Sequence, residues 1–415
     1  MLEQFFSDPE VVERLGGEPL GPYLRSFAAR LAGLGYAACT SRSKLKSLGE
    51  LAHWLAKNTI AVADIDEAIV DAFLGERRRQ GRLRAGQSCT VRNFLDHLRS
   101  AGAVASPGPE IPDTPLAALE QHYERFLRSE RGLRRATLIS YLPFVHRFLL
   151  DRFESGELQF GELGGSDISS FLLRHAHTMS PRTAQLMVSA FRSFFRFLLQ
   201  RGEIGIDLAA AVPTVANWRL STVPKYLTPK EVRAMLDACN QETCTGRRDY
   251  SILLLVARLG LRAGEVLALK LQDLDWRAGE ITVPGKGLVH DRMPLPVDVG
   301  EALAAYLRRD RPRPCESRRL FIRMKAPRRG FANPSTVSTI VRRALERAGL
   351  EPPVKGAHLL RHSLATEMLR QGGSLKEIGE VLRHRAPNTT EIYAKVDFAG
   401  LRCLALLWPE NGEQR

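Results

Sequence analysis

The stretch GEITVPGKGLVHDRMPLP, residues 279–296, decides the fold class because it departs from the helical pattern around it. Apolar and polar residues alternate in GEITV (279–283) and again in VHDRMPLP (289–296), and PGKGL (284–288) between them is rich in turn residues. Alternation on both sides of a turn predicts a β-hairpin. Arg319–Ile322 is a candidate third strand. We therefore expect a small antiparallel sheet within a mainly α-helical, multidomain chain.

Helical signals flank this hairpin in the sequence. Thr228–Glu231 reads Thr-Pro-Lys-Glu, in which Thr caps a helix, Pro occupies its first turn and Glu completes a capping box. A long apolar helix is expected around Tyr250–Leu259, and helices resume after Asn333–Pro334. Ser374–Glu377 is a second capping box, which predicts a helix running to about Leu382.

Two proline-containing breaks divide the chain. GAVASPGPEIPDTP (102–115) has four prolines in fourteen residues, and PTVANWRLSTVPKYL (213–227) is a second stretch of this kind. Both are typical of linkers. They predict three domains, the last of which contains the hairpin: residues 1–110, 113–215 and 225–415.

The middle segment, about residues 114–212, has apolar residues at helical spacing. Thr114 before Pro115 suits the start of a helix. A later helix begins at Ser180–Pro181 and carries several phenylalanines, which at this spacing favour a hydrophobic core over a platform for stacked bases. Its polar side is suited to following phosphates. Five arginines are candidates for DNA binding: Arg182, Arg192 and Arg196 on this helix, and Arg247 and Arg292 further along.

The first segment, residues 1–101, resembles the middle one in its apolar pattern. SKLKSLGELAHWLA (43–56) is similar in length and pattern to TLISYLPFVHRFLL (137–150). This similarity predicts that the first domain is a divergent copy of the second. The run GERRRQGRLR (75–84) leaves two alternatives open, namely a solvated face or a strip that contacts phosphates.

The composition restricts partner and compartment. The 415 residues carry a formal net charge of +14 and a pI near 9.8, which favours a polyanionic partner such as nucleic acid. The start MLEQFFSDPE is acidic where a signal peptide is basic, and no apolar run reaches the ~20 residues of a membrane span. We expect a bacterial, cytoplasmic, nucleoid-associated protein. Six scattered cysteines without a CxxC pair argue against a disulfide framework or a zinc cluster.

Four short motifs in the third domain carry reactive side chains. In the first, LGLRAGEVLAL (259–269), Arg262 and Glu265 share one helical face. The second is the GKG turn at 285–287. It lacks the GxxxxGK[ST] pattern of a phosphate-binding loop, which disfavours nucleotide binding. Its Lys286 is either solvated or a mobile proton donor.

The third motif is HLLRH (358–362), in which His358 and Arg361 fall on one helical face. It does not match the HExxH zinc motif, because a leucine follows His358 where the glutamate belongs. The fourth motif is His384, followed nine residues later by Tyr393. Taken alone, such a tyrosine is usually a packing residue. We expect neither a metal nor another cofactor.

Arg, Lys, His-x-x-Arg, His and Tyr in this order resemble the signature of the tyrosine recombinases, also called the phage integrase family. Residues 225–396 resemble the catalytic domain and the middle segment resembles the helical, SAM-like core-binding domain, so the resemblance covers roughly residues 114–400. The extra first domain is similar to additions in recombinases of transposon-like and integrative elements. The catalytic positions that the resemblance implies are Arg262, Lys286, His358, Arg361, His384 and Tyr393, with Glu265 in support.

The resemblance implies that DNA is cut and rejoined without a metal or a nucleotide. Arg262 and Arg361 would stabilise the pentavalent phosphate. Lys286 would protonate the leaving 5′-oxygen. His358 would manage the proton of the nucleophile, and His384 would donate a hydrogen bond to the phosphate.

Tyr393 would form a 3′-phosphotyrosyl link, although a tyrosine with the reference pKa of about 10 is a poor nucleophile unless the cationic site lowers that value. The implied partners are double-stranded recombination sites, further copies of the chain in a tetramer on DNA, and partner recombinases. The implied reaction is integration or excision of a mobile element.

Two positions depart from the family's pattern, and two other functions stay open. Arg383 stands before His384 where glycine is usual, and Gly264 stands where serine is common. One alternative is a type IB topoisomerase, which shares the site but acts as a monomer on one duplex. The other is a DNA-binding accessory subunit without catalysis. The tail FAGLRCLALLWPE (398–410) docks either on its own core or on a neighbouring protomer.

Overall fold

The computed structural model describes residues 2–17, 19–106, 108, 113–153, 157–216, 223–285, 290–313, 315–397 and 401–402. The fold is mainly α-helical with a small antiparallel sheet, which confirms the fold class expected from the sequence. Contacts group residues 1–106 with 222–415 into one compact unit and residues 107–221 into another. No helix of the described residues is long and apolar enough to span a membrane. The tail at 398–410 and the tip of the hairpin lie largely outside the described residues.

The first part of the chain is helical. Its helices are α1 (Pro9–Gly16), α2 (Gly21–Gly33), α3 (Ala38–Lys57), α4 (Glu67–Arg79) and α5 (Gln87–Ser100), with 3₁₀ turns at Leu2–Gln4 and Val62–Asp64. The apolar faces of α2 to α5 pack into one core, in which Phe27 meets Phe94 edge to face at 5.3 Å. Such aromatic pairs add to the stabilisation that burial provides.

The second unit forms its own helical core. Its helices are α6 (Pro115–Arg125), α7 (Arg135–Arg152), α8 (Gly165–Ala176), α9 (Pro181–Gln200) and α10 (Leu208–Ala211), with a π-helical turn at Phe126–Glu130 and a 3₁₀ turn at Phe160–Glu162. Thr114 Oγ1 accepts a hydrogen bond from Ala117 N at 3.1 Å, which confirms the predicted helix start. The α9 phenylalanines are buried, which confirms that they belong to the core: Phe191, Phe194, Phe195 and Phe197.

The third part contains the sheet among further helices. Its helices are α11 (Pro229–Asp237), α12 (Cys244–Leu259), α13 (Ala263–Ala268), α14 (Val297–Arg309), α15 (Ser335–Arg347), α16 (Ala357–Arg370) and α17 (Leu375–Val381), with 3₁₀ turns at Leu271–Asp273, Pro387–Thr389 and Glu391–Val396. Both predicted capping boxes are confirmed: Glu231 N donates to Thr228 Oγ1 at 3.3 Å and Glu377 N to Ser374 Oγ at 3.2 Å. These caps fix where α11 and α17 begin.

The predicted hairpin is confirmed. Strands β1 (Leu274–Asp275), β2 (Glu280–Pro284) and β3 (His290–Pro294) form an antiparallel sheet in the order β1-β2-β3, and Ile281 lies opposite Met293. Both of these side chains face the core of the third part. The sheet therefore anchors the chain on both sides of Lys286 to the same core as α12 and α13.

The expected third strand at Arg319–Ile322 is wrong. Arg319 and Ile322 form only isolated bridges, to Lys270 and Gly330 respectively. The third place in the sheet belongs to β1, because Asp275 Oδ1 accepts hydrogen bonds from the N–H groups of residues 277 and 278 at 3.0 Å. This turn leads directly from β1 into β2, so β2 pairs with the adjacent β1 and not with the distant residues 319–322.

Buried positions of the first part recur in the second unit at a constant interval. Val91, Phe94 and Leu98 on α5 are buried, and the residues 97 positions later on α9 are also buried: Val188, Phe191 and Phe195. Leu48 and Leu51 on α3 correspond in the same way to Val145 and Phe148 on α7. The same interval therefore holds for two helix pairs, α3 with α7 and α5 with α9.

Candidate active site

Arg361 lies on α16 and is buried, with 3% of its surface exposed. Its guanidinium donates hydrogen bonds to the backbone carbonyls of Gly260 and Leu382. Gly260 ends α12 with φ +59°, and a Cβ there would come within 2.6 Å of Leu382 Cδ2, so both backbone geometry and space require glycine. Burial lowers the pKa of Arg361 to about 10, helped by the charges of Arg262 and Arg383.

Arg262 stands at the N-cap of α13, where the backbone and the side chain are both fixed by Glu265. Arg262 N donates to Glu265 Oε2 at 2.9 Å, and Arg262 Nη1 donates to Oε1 at 2.6 Å. Its Nη2 reaches the carbonyl of Arg383 at 3.3 Å. The side chain keeps 40% of its surface exposed, so it remains accessible to an anion from solution.

Glu265 joins two arginines. Besides Arg262, it accepts a hydrogen bond at 2.8 Å from Nη2 of Arg383, and only 9% and 7% of the Glu265 and Arg383 side chains are exposed. Burial alone would raise the pKa of Glu265, but the N–H of Arg262 and the charges of both arginines outweigh it, and the pKa lies below its ordinary value. Glu265 is therefore ionised and forms ion pairs with both guanidiniums.

The backbone conformation at Arg383 is one that glycine adopts more easily than arginine does. Its φ is +55°, in the left-handed region that costs an L-residue about 1–2 kcal/mol. The strained backbone turns the chain after α17 and places His384 next to Arg262 and Arg361. Its guanidinium also lies against Met293 Sδ of β3, at 2.7 Å. The side chain therefore points to Glu265 and the sheet.

His384 is half-buried and joined to the segment before Tyr393. Its Nδ1 lies 2.7 Å from Oγ1 of the buried Thr390. Burial lowers the pKa of His384 to about 4, with further contributions from the charges of Arg361 and Arg262. The ring is neutral at pH 7. Because Nδ1 is occupied by Thr390, Nε2 is left for a second partner.

Tyr393 lies in the 3₁₀ turn Glu391–Val396 with 1% of its surface exposed. Its Oη is 2.9 Å from Nδ1 of His362 on α16. Burial raises the pKa of Tyr393 to about 12, although the charges of Arg361 and Arg262 act to lower it. In the free protein desolvation is therefore the larger effect, and the cationic site does not bring this pKa below its ordinary value.

His362 is held neutral beside the phenol. Burial lowers its pKa to about 4, and the neighbouring His358 and Arg361 lower it further. His358 is exposed on α16, and its ring centre lies 6.3 Å from that of His362. The part of its ring that is buried lowers its pKa, as do the charges of Arg361 and Arg262. Of these two histidines, His362 is the one in hydrogen-bond contact with Tyr393.

The other predicted site residues are exposed, have partners of their own, or fall outside the described residues. Lys286 is not among the described residues. Arg182 and Arg196 are exposed on α9, and the Arg292 side chain is exposed on β3 with Glu280 at 3.8 Å. Arg192 donates to Val212 O and Thr214 Oγ1, both at 2.9 Å, and Arg247 pairs with Asp310. Among the residues that the structure describes, no three His, Cys, Asp or Glu side chains are grouped as metal ligands.

Comparison with known proteins decides the family. Residues 225–399 match the Phage integrase family, and residues 121–202 match the phage integrase N-terminal SAM-like domain. A Sinorhizobium fredii protein named "Putative integrase/recombinase y4rA" is 45% identical over 95% of this chain and 96% of its own length. The chain belongs to the phage integrase family. The tyrosine recombinase XerC of Shewanella amazonensis is 32% identical over 68% of this chain and 92% of its own.

Solved structures of tyrosine recombinases share the fold. XerH site-specific recombinase, bound to a palindromic difH substrate, aligns with a TM-score of 0.54 at 21% identity over 70% of this chain and 85% of its own. A lambda integrase dimer bound to a COC′ core site aligns with a TM-score of 0.52 at 19% identity over 72% of this chain and 99% of its own. As expected from the sequence, this integrase is a DNA breaking and rejoining enzyme of site-specific recombination.

Two residues of the integrase site have a role that the sequence alone does not indicate. His362 closes the HLLRH motif, and its spacing of four residues from His358 places both on one helical face. Arg383 stands out in the sequence only as a departure from the family's pattern. Its actual partner, Glu265, lies 118 residues away in the sequence, and no local pattern identifies a contact at that distance.

Substitution of Arg383 separates backbone strain from the ion pair in the integrase. Arg383→Gly and Arg383→Ala both remove the contact with Glu265, but only alanine keeps the cost of a positive φ. We expect the glycine variant to be about 1 kcal/mol more stable than the alanine variant. Urea unfolding of both variants measures the difference. Equal stabilities would contradict a left-handed conformation at this position.

The integrase should also lose stability in mild acid. His362 and His384 have folded pKa values of about 4, against 6.5 for an unperturbed histidine. Between these values the unfolded chain binds more protons than the folded one, so the free energy of unfolding falls as the pH drops from about 6.5 towards 4. Urea titrations at successive pH values measure the slope.

In that experiment the double variant His362→Asn/His384→Asn should show a shallower decline than the wild type. The exposed His53 provides the control, because His53→Asn should leave the slope unchanged. A double variant with the wild-type slope would refute the assignment of the decline to these two rings.

Proposed function

We propose that this recombinase cuts and rejoins DNA through a transient 3′-phosphotyrosyl bond to Tyr393. The observation that carries the proposal is the 2.9 Å contact between Tyr393 Oη and His362 Nδ1, with the charges of Arg361 and Arg262 acting on the same phenol. Nucleophile, proton acceptor and anion-binding groups are therefore near one another, which is the arrangement that attack on a phosphodiester requires.

The two arginines bind the scissile phosphate in this proposal. A guanidinium has five N–H donors, so the two carbonyl contacts of Arg361 leave donors for nonbridging oxygens. Arg262 reaches the phosphate through its exposed edge. His384 donates from Nε2, and in the neutral ring this requires Nδ1 to accept a hydrogen bond from the Thr390 hydroxyl. Loss of one such preorganised donor typically costs about 3–4 kcal/mol of transition-state stabilisation.

Bond changes follow from this placement. Tyr393 Oη attacks phosphorus and the bond from phosphorus to the 5′-oxygen breaks, while the phenol proton passes to His362. The leaving 5′-oxygen takes a proton that we assign to Lys286, in the segment between β2 and β3. A 5′-hydroxyl of DNA then attacks the phosphotyrosyl link and restores the phenol. The link conserves the phosphodiester bond energy, so the cycle needs no nucleotide.

We assign the nucleophile's proton to His362 rather than to His358, because His362 Nδ1 touches Tyr393 Oη and the ring is neutral at pH 7. Its low pKa in the free protein makes it a weak base there, so the transfer depends on the negative charge that a bound phosphate brings beside Arg361. His358 lies on the same helix and is exposed, so it is placed to pass the proton on to solvent. Glu265 positions Arg262 and takes no part in proton transfer.

The proposed substrates are double-stranded recombination sites. Arg182, Arg196 and Arg292 are exposed and available for backbone phosphates. Arg192 and Arg247 would have to exchange their internal partners for phosphate. XerH was solved on a palindromic difH substrate and lambda integrase on a COC′ core site, which supports a DNA partner for this chain.

We also propose how the chain is organised and assembled. Its domains would comprise residues 1–110, 113–215 and 225–415, and four copies would exchange strands between two duplexes, with or without partner recombinases. Integration or excision of a mobile element is the reaction that the similarity to an integrase/recombinase favours. The place of action would be the nucleoid within the cytoplasm, where such a substrate lies.

Tyr393→Phe should abolish covalent trapping on a suicide substrate made from the DNA that flanks the gene. The phenylalanine ring fills the same buried space but has no Oη, so DNA binding should change little. Tyr226→Phe is the matched control, since Tyr226 packs against the same small core and its hydroxyl accepts a hydrogen bond from Arg370, away from the proposed chemistry. An adduct formed by the Tyr393→Phe protein, seen on a denaturing gel, would show that another residue is the nucleophile.

His362→Ala should slow cleavage by about 10²-fold or more, the usual contribution of a positioned general base, without weakening DNA binding. Free imidazole should restore part of the rate, because the truncated side chain leaves room for it beside Tyr393. The matched variant is His358→Ala, which should have the smaller effect. If His358→Ala is the slower enzyme and His362→Ala cleaves normally, the proton acceptor is His358. Single-turnover cleavage measures both.

A further inference from the structure

The first part of the chain contains a cationic groove that the chemistry at Tyr393 does not use. It lies between α3 and α4 and is closed on one side by the turn that follows α4, with a volume of about 580 Å³. Lys46, His53 and Lys57 of α3 line it together with Arg82 and Arg84 of the turn. The groove is confined to residues 14–84, so it is formed within the first part alone.

The two carboxylates of this groove are already engaged. Glu50 pairs with Arg77 at 2.8 Å and with Arg84 at 2.9 Å. Glu76 accepts hydrogen bonds from Trp54 Nε1 at 2.6 Å and from the side chain of residue 80 at 2.8 Å. Both carboxylates therefore bind groups of the groove itself, and Glu50 fixes Arg77 and Arg84 in place.

Three exposed cations remain uncompensated. Lys46, Lys57 and Arg82 line the groove and form no ion pair with any residue that the structure describes. The arginines of the run 75–84 therefore differ in whether they line the groove. Arg78 and Arg79 are exposed outside the groove, as a solvated face would be, whereas Arg82 lies in its wall. The two alternatives left open by the sequence therefore apply to different arginines: Arg78 and Arg79 fit a solvated face, and Arg82 is the candidate for phosphate contact.

The spacing of the cations favours an extended anion over a small one. Lys46, His53 and Lys57 recur on one face of α3, and the eleven residues from Lys46 to Lys57 rise by about 16 Å. Each strand of duplex DNA carries a phosphate per about 3.4 Å of helix axis, so a row of this length faces several phosphates. A single phosphate ion would meet only one end of the row.

We propose that this groove binds the sugar–phosphate backbone of double-stranded DNA, as a contact separate from the one that presents the scissile phosphate to Tyr393. A second observation supports it. The buried positions of α3 and α5 recur 97 residues later in α7 and α9, within the region that matches the phage integrase SAM-like domain. The first part therefore has the core of a second such domain, with its own basic surface.

The test compares two triple variants of the full chain that remove the same charge. The groove variant is Lys46→Ala/Lys57→Ala/Arg82→Ala, and the control is Arg30→Ala/Arg78→Ala/Arg79→Ala, whose residues are exposed, do not line the groove and do not extend the row on α3. Both are made in the Tyr393→Phe background, so that binding is scored without cleavage and independently of the proposed nucleophile. The probe is a fluorescent duplex of the DNA that flanks the gene, followed by anisotropy over a range of salt concentrations.

The groove variant should bind roughly tenfold or more weakly, and its plot of log affinity against log salt should be shallower by about 0.9 for each phosphate that the protein no longer neutralises. The control should match the parent protein in both. Equal affinities and slopes for the two triple variants would overturn the proposal. So would a groove variant that binds weakly with an unchanged slope, since the weaker binding would then have a cause other than phosphate neutralisation.

Discussion

The site depends on a guanidinium that is buried but not neutralised. Arg361 is held by the carbonyls of Gly260 and Leu382, which join the end of α12 to the end of α17. Carbonyl dipoles satisfy the N–H groups but cancel less charge than a carboxylate does, and the pKa of about 10 expresses the resulting cost. In the proposed reaction, the scissile phosphate supplies the missing negative charge. Its binding would then offset the cost of burying Arg361, which is the condition for strong preorganised catalysis.

The sequence predicts the local features well because each has a local cause. The capping boxes at Thr228 and Ser374, the proline-led start of α6 and the hairpin all follow from side chains that contact backbone within a few residues. The core of α9 follows from its period. The order of the reactive residues is enough to place the chain in its family, although their contacts are not visible in it.

Features that depend on distant contacts are those that the sequence does not reveal. The sequence places the third strand wrongly because β1 pairs with β2 through a turn that depends on Asp275 alone. No alternating apolar pattern indicates this turn. The partnership of His362 with Tyr393 joins α16 to a 3₁₀ turn 31 residues later. The direction of the pKa shift of Tyr393 is decided by burial, which the charges in the sequence do not indicate.

The pair formed by Arg383 and Glu265 has a consequence for how such a site changes over evolutionary time. An arginine at a left-handed backbone position is a liability by itself, and it is offset here by a buried carboxylate on another helix. Substituting glycine for Arg383 relieves the backbone but leaves Glu265 with one arginine fewer. The two positions are energetically coupled, since their side chains are in contact. The cost of changing one residue therefore depends on the residue at the other position, so the order in which the two positions change matters.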